Sequence, residues 1–371
     1  MSDIAPAVRA KRVRSLIWFA LATAITLLLA LTALFIRADQ GTPSFTSAQA
    51  FPALKDSLDQ VARVVVKTAD ATIEAARGAD GRWTIPSKGN YPARFENVKT
   101  VIGGLSTLAL IEAKTANPNW HERLDLVSPE EKGKGVEIAL YNDAGEEMAA
   151  LIAGKVQDVP TPGMPGTLYV RRKGEDQTYL ALGFLTVRTD EADWLDKNLV
   201  DIGRERIKRV LVEIKGAPTY ALYREGAEDA NFKLENPPDG KELASETAAN
   251  GVGAGITGLT FDDALPAAGV KFTKPSRVTF TTFDGLTIVL TLIEKDEKYW
   301  ATISAKGETP EGAAADAPDP AAEAAAINAV AANWAYNLPR YKGALLLTPL
   351  DSLIKPISET PAPGAPAPTP H

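Results

Sequence analysis

The sequence predicts an α+β chain: one N-terminal transmembrane helix, then two tandem, similar domains of antiparallel β-hairpins packed on a helix. Three observations carry this expectation. Residues 16–36 (LIWFALATAITLLLALTALFI) hold no charge and only three hydroxyls, Thr23, Thr26 and Thr32. Beyond them, short β-branched runs separated by turn signals flank one helical pattern. The same order of elements then starts again further along the chain.

At about 1.5 Å per helical residue, the apolar run spans about 31 Å, against roughly 30 Å for a hydrocarbon core. It is apolar on all sides and so lacks the polar face that a surface helix turns to water. Arg9, Lys11, Arg12 and Arg14 precede it, and Arg37 and Asp39 follow. By the positive-inside rule, residues 1–15 form a cytoplasmic tail and the bulk lies across the inner membrane, in the periplasm. A signal peptide has an apolar region of about 7–15 residues with a small-x-small site close behind it. This run is longer, and Ala48-Gln49-Ala50 stands well downstream, so residues 16–36 read as a retained single-pass anchor. Residues 37–58 read as a linker.

The first domain is expected over 59–204. Val61-Ala62-Arg63-Val64-Val65-Val66 reads as a strand, 72–77 as its hairpin partner, and Gly78-Ala79-Asp80-Gly81 as the turn into Arg82-Trp83-Thr84-Ile85. Residues 96–111 carry Val98, Val101, Ile102, Leu105, Leu108 and Leu110 at mostly helical spacing. Residues 136–140 alternate as a half-buried strand, Asn142-Asp143-Ala144-Gly145 turns, and 148–153 returns. A further strand pair is expected at 167–171 and 177–182. Asp193 reads as the cap of a short helix that ends near Gly203.

The second domain, 205–357, repeats this order. Val210 answers Val64 at an offset of 146, and Phe232 answers Trp83 at 149. VGAGITGL from Val252 answers VIGGLSTL from Val101 at 151, and Val278 answers Val136 at 142. Offsets that differ only by loop lengths indicate an internal duplication. Residues 307–326 (GETPEGAAADAPDPAAEAAA) lack a core pattern and read as a mobile insertion. Residues 358–371 form a proline-rich disordered tail.

Composition narrows the classes of function. The chain has 371 residues, 45% hydrophobic and 23% charged, which is globular. Its net charge of −7 argues against a nucleic-acid partner, which requires a basic surface. With no cysteine, it has no disulfide, no lipidated cysteine and no thiolate metal site.

No catalytic, cofactor-binding or metal-binding residues are expected. The run NGVGAGITG at 250–258 lacks the Lys-Ser or Lys-Thr of a phosphate loop, so its glycines read as packing glycines. His121 and His371 are the only histidines and cannot build a zinc site or a triad. Glu130-Glu131, Glu146-Glu147, Asp262-Asp263 and the group Asp190, Glu191, Asp193, Asp196 read as solvated faces or caps. Trp83 and Trp300 read as core, and Trp18 as an interfacial anchor.

The anchor, the 63–66 strand, Gly81-Arg82-Trp83-Thr84-Ile85 before Tyr91-Pro92, the 98–110 helix and Trp194-Leu195-Asp196 with Leu199 together resemble a bacterial family, DUF4340 (domain of unknown function 4340). The resemblance implies a membrane-anchored envelope protein. It also implies a place beside gliding-motility-type ABC transporters, near which members are often encoded, and supplies no catalytic residues. The resulting expectation is a periplasmic binding or scaffolding protein with a membrane or envelope protein partner and no cofactor. The alternative is a cell-wall glycan or peptide hydrolase with carboxylates in an interdomain cleft, which predicts acids of perturbed pKa there.

Overall fold

The structure, a computed structural model, describes residues 46–310 and 319–357 and, within the apolar run, Thr23, Ile25, Thr26, Leu27, Leu28, Ala30 and Thr32. Those seven positions are helical and exposed. Among the described residues no helix is long and apolar enough to cross a membrane. The expected anchor lies largely outside the described residues, and the tails at 1–15 and 358–371 lie wholly outside them.

The described chain is mainly β, with few helices, and among the described residues the strands pair antiparallel. The first sheet takes β1 (Ala48–Gln49), β2 (Val61–Lys67), β3 (Thr72–Arg77), β4 (Trp83–Ile85), β5 (Tyr91–Pro92), β6 (Ala109–Ala113), β7 (Val136–Asn142), β8 (Glu147–Asp158), β9 (Gly166–Arg172) and β10 (Thr178–Gly183). Helix α1 (Phe95–Thr107) joins β5 to β6. The second sheet takes β11 (Ile207–Glu213), β12 (Tyr220–Tyr223), β13 (Lys233–Glu235), β15 (Asp263–Pro266), β16 (Ser276–Thr282), β17 (Leu286–Lys295), β18 (Lys298–Gly307) and β19 (Trp334–Leu338). Strands β14 (Lys241–Leu243) and β20 (Ile354–Pro356) pair apart from it. The remaining helices are α2 (Asn250–Gly253), α3 (Pro320–Ala331) and α4 (Arg340–Leu346).

From β4 the first sheet runs β4-β3-β2-β7-β8-β9-β10-β6, and from β13 the second runs β13-β12-β11-β16-β17-β18-β19-β15. The orders match step for step. The irregularity matches too: β2 slips against β7 between Val61 and Arg63, and β11 slips against β16 between Ile207 and Arg209, each 146 residues on. A bulge bends its strand and adds twist, so both sheets curve at the same place.

Several expectations change. Helix α1 stops at Thr107, not 111. The Ser106 and Thr107 hydroxyls donate back to the Gly103 carbonyl (2.9 and 2.8 Å), Leu108 is extended, and β6 slots between β1 and β10. Two adjacent glycines weaken the helix, and sheet pairing satisfies the backbone of Leu108 and Leu110 while burying them. Strand β7 is buried from Glu137 to Leu140 rather than alternately. The turns at 118–131 cover its sheet, with Leu126 against Gly154 and the Arg171 guanidinium donating to the Leu126 carbonyl (3.1 Å). Asp190, not Asp193, caps a 3-10 turn at Glu191–Trp194, which goes no further. In the second half the helix shrinks to the four residues of α2.

The ends of the linker and the insertion are also structured. Ala50 and Leu54 are buried, and the Ala50 N–H donates to the Leu108 carbonyl (2.8 Å). Residues 311–318 lie outside the described residues, but 320–326 begin α3. Alanine is the best helix former, Pro320 takes the first turn, and the Asp319 carboxylate accepts from the Ala321 N–H (2.9 Å).

The core is continuous between the halves. The Tyr91 ring, 0% exposed, meets Phe261, Trp334 and Tyr336 edge-on at 5.7, 4.9 and 6.1 Å. Burial pushes the Tyr91 phenol up, and its hydroxyl donates to the Asp196 carbonyl (3.0 Å). Each buried ring is worth about 1.5–3 kcal/mol, and each edge-to-face pair about 0.5–1.5 more. Beside the rings, Lys88 reaches Asp263 of β15 (2.8 Å) and Glu191 (3.3 Å). Gly89 precedes Tyr91 at φ +69°, where a Cβ would stand 2.6 Å from Pro266, so glycine is required on both counts.

Candidate binding clefts

Two clefts stand out. The first, about 560 Å³, opens at the junction of the halves. The turn into β4 supplies Asp80, Arg82 and Trp83, and the start of α1 supplies Phe95. From the second half come Val330 at the end of α3 and Trp334 at the start of β19. Phe95 is 57% exposed, while Trp83, which also lines the cleft, is buried in the core. Asp80 accepts from the Arg82 side chain (Nε, 2.7 Å) and backbone N–H (3.0 Å), and the guanidinium holds its carboxyl below the usual range. The other carboxylate, Asp196, accepts from the Asn198 N–H (3.1 Å). Both carboxylates therefore fasten loops.

The second cleft, about 730 Å³, lies between β13 and β14. Its apolar lining is Phe232, Leu234, Leu243 and Ile357, rimmed by Asp229, Lys241 and Glu246. Asp229 fastens its turn by accepting from the Glu225 and Gly226 N–H groups (2.9 and 3.0 Å). Asn250 of α2 accepts from the Phe232 N–H (3.0 Å) and donates to Asn231 (2.7 Å), which fixes the aromatic strand start.

The clefts share one wall, the turn and start of the equivalent strands β4 and β13, and differ in what lies opposite. Asp80, Trp83 and Thr84 line the first, and Asp229, Phe232 and Lys233, each 149 residues further on, line the second. β4 and β13 hold equivalent positions in the sheet orders. Each cleft thus opens beside a turn fastened by an aspartate three residues before a buried aromatic. The lone Trp83–Phe232 match in the sequence carried this signal, and the aspartates at the same offset complete it. Phe95, Val330 and Trp334 had no such signal, because the first cleft forms only where the halves meet.

The residues weighed from the sequence take structural places. A Cβ on Gly253 would stand 2.3 Å from the Phe232 ring, and one on Gly255 2.7 Å from Leu346, so these glycines allow close packing. His121 is buried in the turn between two 3-10 segments, and its Nε2 pairs with the Asp176 carbonyl (2.9 Å). Glu130 lies 3.7 Å from Lys67, and Asp263 belongs to the Lys88 cluster. Trp120 is exposed and stacks with Arg123. Among the described residues no group of three or more His, Cys, Asp or Glu side chains is placed to hold a metal ion.

A mainly antiparallel protein of two like-ordered sheets, with a cleft beside the equivalent strand of each, is the class that fold and site define. The chain belongs to the family of a domain of unknown function, DUF4340, whose model matches residues 83–280. That match runs from β4 into β16: it includes the whole Asp229–Phe232 segment of the second cleft and starts at Trp83 of the first, after Asp80. No curated protein matches the chain, and no solved structure does.

Proposed function

We propose that the chain is a single-pass inner-membrane protein, its N-terminus cytoplasmic, that carries two copies of one unit in the periplasm as a binding or scaffolding subunit. The hydropathy of residues 16–36 and the cations before them support the location. The observation that carries the function is a cleft beside each of the equivalent strands β4 and β13. A surface hollow with an apolar lining and a few polar groups has the make-up of a ligand site. The partner is a membrane or envelope protein, with an ABC transporter as the proposed complex. The hydrolase alternative gains nothing from the first cleft: Asp80 is held ionised by Arg82, whereas a general acid at neutral pH needs a raised pKa.

The test is recovery of envelope proteins with the full chain in mild detergent, comparing wild type with Phe95→Glu and Leu243→Glu. The expected result is one membrane or envelope partner that is lost from at least one variant. Recovery of the same proteins by all three, or of none, overturns the reading.

A further inference from the structure

The second cleft differs from the first in one respect that indicates what enters it. In the first half β5 is stitched to β4: Thr84 faces Pro92, Ile85 faces Tyr91, and the Ala93 N–H donates to the Trp83 carbonyl (2.8 Å). On its other side β5 pairs with residues 194–196, through the Arg94 N–H to Trp194 carbonyl (2.7 Å) and Asp196 N–H to Pro92 carbonyl (3.0 Å) bonds. The second half repeats these parts. β14 follows β13 after a loop of five residues, as β5 follows β4, and β14 pairs antiparallel with β20 as β5 pairs with 194–196. A 3-10 turn precedes the outer partner in both, Glu191–Trp194 in one and Leu350–Ser352 in the other. Yet β13 ends its sheet, and β14–β20 stands apart as a two-stranded sheet. The 730 Å³ cleft lies where the stitch would run.

Resting on the binding function above, we infer that this cleft is an open strand position: it takes an extended segment of a partner polypeptide, which pairs with the free edge of β13 and bridges to β14. Such strand addition draws affinity from main-chain hydrogen bonds and selectivity from pockets for alternate side chains. An added strand lies about 4.8 Å from the edge it pairs with, which places it in the cleft beside β13. The lining suits a peptide whose alternate residues are apolar, to meet Phe232, Leu234, Leu243 and Ile357. Charge points the same way. Asp229, Glu242 and Glu246 nearly balance Lys233 and Lys241, which leaves no excess to attract an anionic headgroup or nucleic acid. The chain's own C-terminal segment begins at the rim, directly after Ile357, but five of the residues from 361 to 371 are proline. Proline has no N–H to donate to a ladder, so the segment comes from another polypeptide.

The test uses the full chain in detergent and a phage-displayed library of twelve-residue peptides. Because the chain has no cysteine, Ser245→Cys at the cleft can be labelled with a bulky maleimide to block it alone, with the thermal melt confirming an intact fold. Expected are peptides of alternating apolar character that lose at least tenfold in affinity for the labelled chain. They should slow amide exchange at 233–235 and 241–243 at least tenfold, and lose at least tenfold in affinity when alternate backbone amides are N-methylated. No selected peptide sensitive to the label, unchanged exchange at 233–235, or indifference to N-methylation overturns strand addition. So does a chain ended at Ile357 that binds these peptides tenfold more tightly, which would make the tail the occupant. Loss of envelope-partner recovery in Phe95→Glu alone, together with any of these, leaves the binding function standing and removes only the strand.

Discussion

At the scale of single residues, Lys88 is the charge whose removal is most informative. Burial by itself would lower its pKa, but the Asp263 and Glu191 carboxylates outweigh that and hold the ammonium above its ordinary 10.5. A raised lysine pKa means a contribution fully present below pH 10.5 and lost as pH rises through the folded-state value. Lys88→Met leaves two carboxylates facing apolar surface and should cost about 1–3 kcal/mol at neutral pH. Thermal melts of both proteins between pH 8 and 12 check this, because the gap between them should narrow above pH 10.5. A constant gap would assign the loss to packing. At Gly253, alanine places a methyl against the Phe232 ring, and overpacking of this kind costs about 1–3 kcal/mol. Denaturant unfolding of Gly253→Ala measures it, and a neutral result would show that the ring has room to move.

At the scale of elements, α3 depends on a tether. Arg206, just before β11, donates to Asp284 of the β16–β17 turn (2.7 Å) and to Glu323 of α3 (2.6 Å). These carboxylates hold the guanidinium above its ordinary pKa, the Glu323 bond most of all. Glu323→Ala should release the first turns of α3 and speed amide exchange over 320–331, at a cost of about 1–2 kcal/mol. Unchanged exchange would assign the helix to packing alone. The hairpins β2–β3, β7–β8 and β9–β10 were legible in the sequence, because a two-residue period and a turn signal are local. The end of α1 was not, because Leu108 and Leu110 fit both periods and only β1 and β10 decide between them. Nor was α3, whose alanines were masked by the proline and acid of the adjoining stretch. Lys88 and Asp263 stand 175 residues apart, so nothing local announces their pairing.

At the scale of the molecule, the halves share one core, and duplicated order does not make them independent. Residues 205–371 expressed alone would expose Phe261 and Tyr336, which Tyr91 now covers. That fragment should bind a hydrophobic dye and aggregate, whereas a monomeric fragment with a sharp melt would show that the junction is dispensable. The common strand order was traceable in the sequence from its strands. The clefts were not, since one forms across the junction and the other where a pairing found in the first half is missing from the second.

The central claim is that both clefts receive partner polypeptide. Its most direct measurement places a photo-crosslinking amino acid at Phe95, at Ser245 and, as a control lining neither cleft, at Lys271 in living cells. The account predicts covalent adducts with an envelope polypeptide at Phe95 and Ser245 but not at Lys271, with the Ser245 adduct lost in Leu243→Glu. Adducts equally strong at all three positions, or at none, would contradict it.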